Sequence, residues 1–372
     1  MAHDSRETSE SMNDSSAEEF LRHMFSDGES LGSELATETQ QFHAIQNTKF
    51  PHPQYTRVIA VANQKGGVGK TTTVVNLAAA YAEKGFNVLV LDMDPQGNAS
   101  TALGIPHDDP SQPSMYNALE GEIPLADAVQ QCPMFPTLDV VPSNINLSGA
   151  ELELAGYDDG TVRVQFLRNA LAEYLKTCGK RYEYVFIDCG PSLGLLVLNC
   201  LCAAEEVLIP IQAEYYALEG LKMLLQSIQN VQQMFNPQLV ISMMLVTMFD
   251  RRTVLSREVY SQIEQYYPTV LLKTIIPRGV RVSEAPSHDQ TVITYNPQSS
   301  GAIAYREAAL EIAMRGNAHP VTARPHQPAG NTGNASQGVA GSDSGAGAEA
   351  GAAGSDNSGS ETGSGATLHE AE

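Results

Sequence analysis

The chain has 372 residues and a formal net charge of −21, because 43 aspartates and glutamates outnumber 22 lysines and arginines. No apolar run approaches the roughly 18 residues of a membrane span, and the N-terminus lacks the basic and apolar regions of a secretory signal. The five cysteines form no C-x-x-C pair and have no histidine spacing suited to zinc. We therefore expect a cytoplasmic protein with one large α/β domain and appendages.

Two acidic segments flank a region of different composition. Residues 1–55 are rich in Ser, Glu, Asp and Thr, with one short apolar cluster near residues 20–25, so we expect a disordered extension with one transient helix. Residues 316–372 are rich in Gly, Ala, Ser and Asp and cannot bury enough apolar surface to fold. The folded domain is therefore predicted over residues 56–315.

Arginine outnumbers lysine among the basic residues of the chain, with fourteen arginines and eight lysines. An acidic, lysine-poor surface fits a protein kept soluble in concentrated salt, where screening shortens the reach of charge repulsion. The alternative is an ordinary acidic cytosolic protein.

Short apolar runs alternate with helical patterns inside the predicted domain. These runs predict strands near residues 58–62, 87–92, 138–142, 183–188, 206–211, 239–247 and 270–276. Strands that alternate with helices favour a parallel sheet covered on both sides. The predicted fold class is therefore α/β, a three-layer arrangement with a mainly parallel twisted sheet flanked by helices.

The first predicted strand leads into a glycine-rich loop that precedes a helical pattern. The loop consists of Lys65, Gly66, Gly67, Val68, Gly69, Lys70, Thr71 and Thr72. It fits the G-x-x-x-x-G-K-[ST] pattern in a shifted form, and its strand, turn and helix N-terminus present backbone N–H groups to a phosphate. Lys70 is predicted to pair with the β- and γ-phosphates of a nucleotide, and Thr71 to ligate magnesium. The extra lysine, Lys65, indicates a site completed by a second copy of the chain; the alternative is a turn without a ligand.

Acidic residues end two further predicted strands. Asp92 and Asp94 are separated by one residue at the end of the second strand, and Asp188 ends the fourth. Residues two apart on a strand point to the same side, and open α/β sheets bind ligands at the carboxyl ends of their strands. The strand ending in Asp188 matches the Walker B pattern, whose acid supports magnesium. One acid at a strand end is often only a turn cap, but three acids beside a phosphate-binding loop favour a role in the chemistry of a nucleotide site.

Together these motifs resemble the ParA/Soj chromosome and plasmid partitioning ATPases. The resemblance covers residues 57–312 and rests on the glycine-rich loop, on residues 92–98, on Asp188 and on residues 276–287. It implies the P-loop NTPase fold of the deviant Walker A type, with ATP and Mg²⁺ as cofactors. It also implies a homodimer that forms when ATP binds.

The resemblance implies roles for individual residues. Lys65 would reach across to the partner's phosphates, Asp94 would position the attacking water, and Gly66 would face the partner's loop. The implied catalytic residues are Lys65, Lys70 and Asp94. The implied magnesium-site residues are Thr71, Asp92 and Asp188. The implied nucleotide-binding residues are those of the loop, Lys65 to Thr72, together with Pro277 and Arg278.

The segment after Asp188 departs from the family pattern. The family usually has Cys-Pro-Pro-Ser there, whereas this chain has Cys189, Gly190, Pro191 and Ser192. Glycine relaxes the turn between the acid and the next helix, so we expect a more mobile switch segment.

Basic residues concentrate in the last third of the predicted domain. They are Arg251, Arg252, Arg257, Lys273, Arg278, Arg281 and Arg306. We interpret them as a phosphate-contacting stripe that binds DNA without sequence specificity. The alternative is a set of salt bridges with Glu258, Glu264, Glu284 and Glu307. Arg278 and Arg281 also fit a role at the nucleotide base or at the dimer edge.

The resemblance further implies a ParB-type centromere-binding partner that stimulates slow ATP hydrolysis, and a nucleoid-associated location without a membrane. A MinD-like positioning ATPase needs a basic amphipathic C-terminal helix, whereas this tail is acidic and glycine-rich. Iron–sulfur carriers need cysteines that bridge a dimer, and Cys189, Cys200 and Cys202 lack the usual arrangement. A nucleotide-gated DNA-binding regulator is a further alternative, although the N-terminal fifty or so residues are too polar for a helix-turn-helix.

Overall fold

Eight strands form the central layer of the domain. In the computed structural model, which describes residues 38–107, 109–214 and 217–316, these strands are β1 Arg57–Val61, β2 Val88–Met93, β3 Gln130–Gln131, β4 Leu138–Val141, β5 Tyr184–Cys189, β6 Glu206–Gln212, β7 Val240–Phe249 and β8 Leu271–Pro277. They lie in the order β3-β4-β2-β5-β1-β6-β7-β8. Every neighbouring pair is parallel except β3 and β4. The predicted mainly parallel sheet is confirmed, and each predicted strand overlaps one of these strands.

Helices pack on both faces of the sheet. The described helices are α1 38–47, α2 Lys70–Glu83, α3 Asn98–Ala102, α4 Met115–Leu119, α5 Leu125–Ala128, α6 Leu147–Ala155, α7 Phe166–Thr177, α8 Leu195–Ala203, α9 Ala217–Met234, α10 Val254–Tyr266, α11 Val280–Glu284, α12 Val292–Tyr295 and α13 Ser300–Arg315. Short 3₁₀ turns lie at Val162–Val164 and Ala285–His288. Of the helices in the described ranges, none is both long enough and apolar enough to cross a membrane.

Two apolar layers enclose the sheet, as the strand β2 illustrates. Its residues Leu89, Leu91 and Met93 belong to the layer that includes α6 to α10, whereas Val88 and Val90 belong to the layer formed with α1, α2, α12 and α13. Successive side chains of a strand point to opposite faces, so a strand covered on both sides must be apolar at every position. This is why the parallel strands appear in the sequence as continuous apolar runs.

The described fold begins earlier than the predicted boundary at residue 56. The carbonyls of Ile45, Gln46 and Thr48, at the end of α1, accept hydrogen bonds from Nζ of Lys84. Phe50 is only 6% exposed and packs edge-on against Tyr81 of α2. The prediction of disorder is therefore wrong for residues 38–55, which cover the far end of α2. The apolar cluster near residues 20–25 and the tail from residue 317 lie outside the described residues.

The packing of Phe50 predicts a measurable contribution to stability. We expect Phe50→Ala to lower the free energy of unfolding by about 3 kcal/mol, because it removes a buried aromatic ring and leaves a cavity. The matched control is Tyr55→Ala, since Tyr55 is 78% exposed, and its expected effect is below about 0.5 kcal/mol. Urea unfolding of both variants measures the difference. Equal midpoints for the two variants would show that residues 38–55 do not support the domain.

Candidate nucleotide-binding site

The glycine-rich loop lies between the end of β1 and the start of α2. Gly69 caps α2 with φ 88° and ψ 31°, a left-handed conformation that glycine adopts without a steric penalty. The strand β7 supports the loop, because Thr247 donates a hydrogen bond from Oγ1 to the carbonyl of Val68 at 2.8 Å. A Cβ added to Gly66 would meet no atom within 4 Å, so packing inside the described chain does not by itself require glycine there. The loop is thus a rigid backbone cradle at the carboxyl edge of the sheet.

The two lysines of the loop lie in different environments. Lys70 is 8% exposed, and its Nζ approaches the carbonyl of Lys65 at 3.5 Å. Burial lowers the pKa of Lys70, and the nearby Asp188 carboxylate opposes this shift most strongly. Nζ of Lys65 instead forms an ion pair with Oε2 of Glu214 at 2.5 Å, and these side chains are 40% and 47% exposed. Lys70 is therefore fixed inside the site, whereas Lys65 lies at its mouth in a contact that solvent reaches.

The backbone of Lys65 is anchored to the neighbouring strand. Its N–H donates to Oδ1 of Asn63 at 3.0 Å, and Nδ2 of Asn63 donates to the carbonyl of Pro210 on β6 at 2.7 Å. Glu214 follows the same strand. The strand β6 therefore positions both the backbone and the ammonium group of this lysine.

Asp92 is fully buried at the end of β2 and is held by α3. Its Oδ2 accepts hydrogen bonds from the backbone N–H and the Oγ of Ser100, at 2.9 Å and 2.7 Å, and its Oδ1 accepts one from the N–H of Asp94 at 3.2 Å. Burial raises the pKa of Asp92 to about 6, although the Ser100 bonds oppose the rise. Asp92 thus orders the loop that follows it.

Asp188 is the buried acid of the site without a hydrogen-bond partner of its own. It is 0% exposed, it pairs in register with Asp92 across β5 and β2, and neither of its carboxylate oxygens accepts a hydrogen bond among the described residues. Burial raises its pKa well above the ordinary value and the charge of Asp92 adds to the rise, whereas Thr71 and Lys70 oppose it. An uncompensated buried carboxylate is strongly unfavourable, and a bound cation removes that penalty.

These residues fit a magnesium ion better than a metal held by protein alone. Among the described residues, no group of three or more His, Cys, Asp or Glu side chains could hold a metal. Mg²⁺ in nucleotide sites typically binds one or two carboxylates, a hydroxyl and the substrate's phosphates. Asp188, the adjacent Asp92 and the Thr71 hydroxyl match that donor set.

Asp94 lies on the turn that follows β2. Its Oδ1 accepts the N–H of Gln96 at 3.1 Å, and its carbonyl accepts the N–H of Gly97 at 2.9 Å. A Cβ added to Gly190 would lie 3.9 Å from Cγ of Asp94, an ordinary van der Waals distance. The position that departs from the family pattern is therefore next to the predicted catalytic acid.

Pro277 and Arg278 lie farther along the same edge of the sheet. Phe249 of β7 pairs with Pro277 of β8, and the N–H of Arg278 donates to the carbonyl of Phe249 at 3.1 Å. The strands β6 and β7 separate them from β1. In the described ranges no hydrogen bond or ion pair joins them to the glycine-rich loop, so their nucleotide-binding role stays a prediction.

The predicted DNA-contacting residues divide by exposure. Arg306 is 0% exposed, and its guanidinium donates to both carboxylate oxygens of Glu83 and to the carbonyl of Pro297. Its assignment to DNA is therefore wrong, because it joins α13 to α2 inside the core. Arg252 pairs with Asp250 and Arg281 with Glu284, so salt bridges account for part of the set. The exposed residues without an ion pair among the described side chains are Arg251, Arg257, Lys273 and Arg278.

Two residues of the site were missed at the sequence level. Glu214 follows a predicted strand next to β1, so the pattern that identified Asp92 and Asp188 could also have identified it. Ser100 holds Asp92 from the next short helix, and a lone serine gives no such signal. Both act through contacts with predicted residues.

Comparison with known proteins places these features in a family. Residues 56–241 match the family model described as an AAA domain. The chain is 45% identical over 260 residues to the sporulation initiation inhibitor protein Soj of Bacillus subtilis, covering 70% of this chain and 99% of that protein. It is 44% identical over 259 residues to the chromosome partitioning protein ParA of Caulobacter vibrioides, covering 70% and 94%.

Solved structures share the fold. A cobyrinic acid a,c-diamide synthase of Mycobacterium smegmatis, crystallised with an ATP analog and magnesium, has a TM-score of 0.60 and 38% identity, covering 71% of this chain and 96% of that one. The septum site-determining protein MinD of Pyrococcus horikoshii has a TM-score of 0.52 at 23% identity, covering 69% and 96%. The second likeness concerns the fold alone.

The raised pKa of Asp92 predicts a pH-dependent stability for the nucleotide-free protein. A carboxyl whose pKa rises on folding binds more protons in the folded state, so stability falls as the pH increases from 3.8 to about 6. We expect the free energy of unfolding of Asp92→Asn, relative to wild type, to increase over that range and then level off. The total change should be on the order of 1–3 kcal/mol.

Urea titrations between pH 4 and pH 8 measure this difference. The control is Asp158→Asn, which makes the same substitution at an exposed residue. A flat profile for Asp92→Asn would mean that burial does not raise the pKa of Asp92.

Proposed function

Because the chain belongs to the Soj/ParA family of chromosome-partitioning ATPases, we propose that it hydrolyses ATP to drive the segregation of a chromosome or plasmid. The observation that carries the proposal is the buried carboxyl group of Asp188 beside Lys70 and Thr71, an arrangement that suits a cation and a phosphate. The partitioning relatives Soj and ParA are 45% and 44% identical to this chain, whereas the Mycobacterium protein is 38% identical. We therefore favour partitioning over the amide-forming activity named for the Mycobacterium structure.

We propose that ATP binds at the glycine-rich loop with its phosphates over the N-terminus of α2. Lys70 would pair with the β- and γ-phosphates, and the Thr71 hydroxyl and Asp188 would hold Mg²⁺ with support from Asp92. When bound, Mg²⁺ neutralises the charge that develops on the transferred phosphoryl group. Asp94, on the adjacent turn, would orient the attacking water.

We propose that Lys65 acts on the nucleotide of a second copy. Its side chain is 40% exposed, and its ammonium group contacts one carboxylate of its own chain, that of the 47% exposed Glu214. It can therefore exchange that partner for a phosphate across an interface. A cation delivered in trans stabilises transition-state charge and contributes on the order of 10³–10⁵ in rate where an arginine does so. Hydrolysis would then depend on dimerisation.

Two variants test the dimer and its catalysis. Lys65→Ala should bind ATP as a single chain and lose ATP-dependent dimerisation and turnover, because the trans cation is gone. Asp94→Ala should form a stable ATP-bound dimer that does not turn over, because the water is not oriented. Size-exclusion chromatography at high salt with ATP, ADP or no nucleotide, combined with phosphate release, measures both properties.

The matched control removes the other half of the Lys65 ion pair. Glu214→Gln keeps the ammonium group and frees it, so dimerisation should occur at the same ATP concentration as in wild type or at one up to about fivefold lower, since exposed ion pairs contribute at most about 1 kcal/mol. Normal turnover by Lys65→Ala, or an Asp94→Ala protein that stays a single chain with bound ATP, would contradict the proposal.

We propose that the ATP-bound dimer binds DNA non-specifically and associates with the nucleoid in the cytoplasm. The exposed cations Arg251, Arg257 and Lys273 support this proposal, because each is free of ion pairs among the described side chains. A net-acidic protein weakens every phosphate contact, so the affinity should fall steeply with salt. Acidic, lysine-poor composition further supports a protein adapted to high salt.

DNA binding is tested with single arginine variants. Arg251→Ala and Arg257→Ala should each weaken binding of random-sequence duplex in the presence of ATP, and each should reduce the slope of log affinity against log salt by about 1. The control is Arg168→Ala, because Arg168 is exposed on α7 outside the predicted set. Fluorescence anisotropy across a salt series measures the slopes. Absence of ATP-dependent binding at the lowest tolerated salt would eliminate the DNA role.

We propose a ParB-type centromere-binding protein as the partner that stimulates hydrolysis and resets the dimer. This proposal follows from the membership of the chain in the partitioning family. A nucleotide-gated DNA-binding regulator would use the same site, and no specific contact favours it.

A further inference from the structure

The turn that carries Asp94 ends at a glycine with a demanding conformation. Gly97 has φ 64° and ψ 22°, caps the N-terminus of α3, and donates its N–H to the carbonyl of Asp94 at 2.9 Å. Its conformation therefore closes the turn that begins at Asp94. A contact that restricts Gly97 also restricts this turn.

The short helix α3 is fixed on one side to the sheet. Ser100 donates to Asp92 from both its N–H and its hydroxyl, and its Oγ accepts the N–H of Ser143 at 3.2 Å. Ser100 is 0% exposed. This contact orders the start of the turn through Asp92, but it does not reach Gly97.

The other side of α3 is held by His107. Nε2 of His107 lies 2.7 Å from Oγ1 of Thr101, and Oγ1 of Thr101 donates to the carbonyl of Gly97 at 3.2 Å. A hydroxyl has one hydrogen, so when Thr101 donates to Gly97, the Nε2–H of His107 donates to Thr101. The imidazole ring also lies directly against Gly97, because a Cβ added there would be 2.5 Å from its Cε1.

We propose that His107 is a positioning residue for ATP hydrolysis, acting on Asp94 through Thr101 and Gly97. The inference rests on the role proposed above for Asp94. The hydrogen-bond relay and the ring contact restrict Gly97 to one conformation, so the Asp94 carboxylate is held ready for the attacking water. Small displacements of a catalytic group reduce the rate without removing the substrate's binding contacts. His107 itself touches neither the glycine-rich loop nor the magnesium-site acids through any hydrogen bond in the described part of the chain.

Paired substitutions separate the hydrogen bond from simple packing. His107→Leu and Thr101→Val, which abolish the relay, should each lower kcat about three- to tenfold, the effect of losing one hydrogen bond, while KM for ATP changes less than twofold. His107→Gln and Thr101→Ser retain a donor or a hydroxyl and should recover most of the rate. The double variant His107→Leu/Thr101→Val should be no slower than the worse single variant, because both remove one relay.

Hydrogen exchange in the nucleotide-free protein provides a readout that does not depend on turnover. Amides of residues 94–99 should exchange faster in His107→Leu than in wild type, while those of β5 stay unchanged. Wild-type rates of exchange and turnover in His107→Leu would overturn the proposal, and so would equal losses in His107→Leu and His107→Gln. If the wild-type protein hydrolyses no ATP, the proposed function fails, and the exchange comparison alone decides whether His107 holds the turn.

Discussion

The side-by-side burial of Asp92 and Asp188 is the constraint on which the site depends. Parallel pairing of β2 with β5 puts the two residues in register. Desolvation raises the pKa of both, and repulsion adds to the rise, from Asp94 at Asp92 and from Asp92 at Asp188. The neighbouring groups compensate the burial of these two carboxyl groups unequally. Ser100 satisfies Asp92, whereas Asp188 has only the nearby Lys70 and Thr71. In the proposed function, the unfavourable energy left at Asp188 would favour a bound cation, which would couple folding to ligand binding at this point.

The strands on the two sides of β1 contribute different residues to the site. On one side, β5 and β2 supply the acids. On the other side, β6 anchors the loop through Asn63 and Pro210, and β7 supports it through Thr247. The acidic side chains thus lie on one side of β1, and the strands that hold the backbone of the loop lie on the other. Glu214, after the end of β6, is the charged residue on the second side and pairs with Lys65.

Most of the sheet could be predicted because strands buried on both faces are continuous apolar runs, and the glycine-rich loop is recognisable from its spacing. The two-residue strand β3 could not be predicted, because Gln130 and Gln131 are not apolar. They form a strand only by pairing with the free edge of β4. Arg306 was misassigned because its partner Glu83 is distant in sequence. The same reason applies to residues 38–55, because their apolar side chains pack against α2 and α13, which lie later in the sequence.

The contrast between the two lysines supports the proposal that one loop serves two copies of the chain. Lys70 is buried and its pKa is lowered, so it is preorganised and belongs to its own site. Lys65 keeps an anchored backbone with a partly exposed side chain, so its contacts can be exchanged without disturbing the loop. In the proposed dimer, the nucleotide would favour pairing of the two copies, because its phosphates offer Lys65 more negative charge than the single carboxylate of Glu214 does.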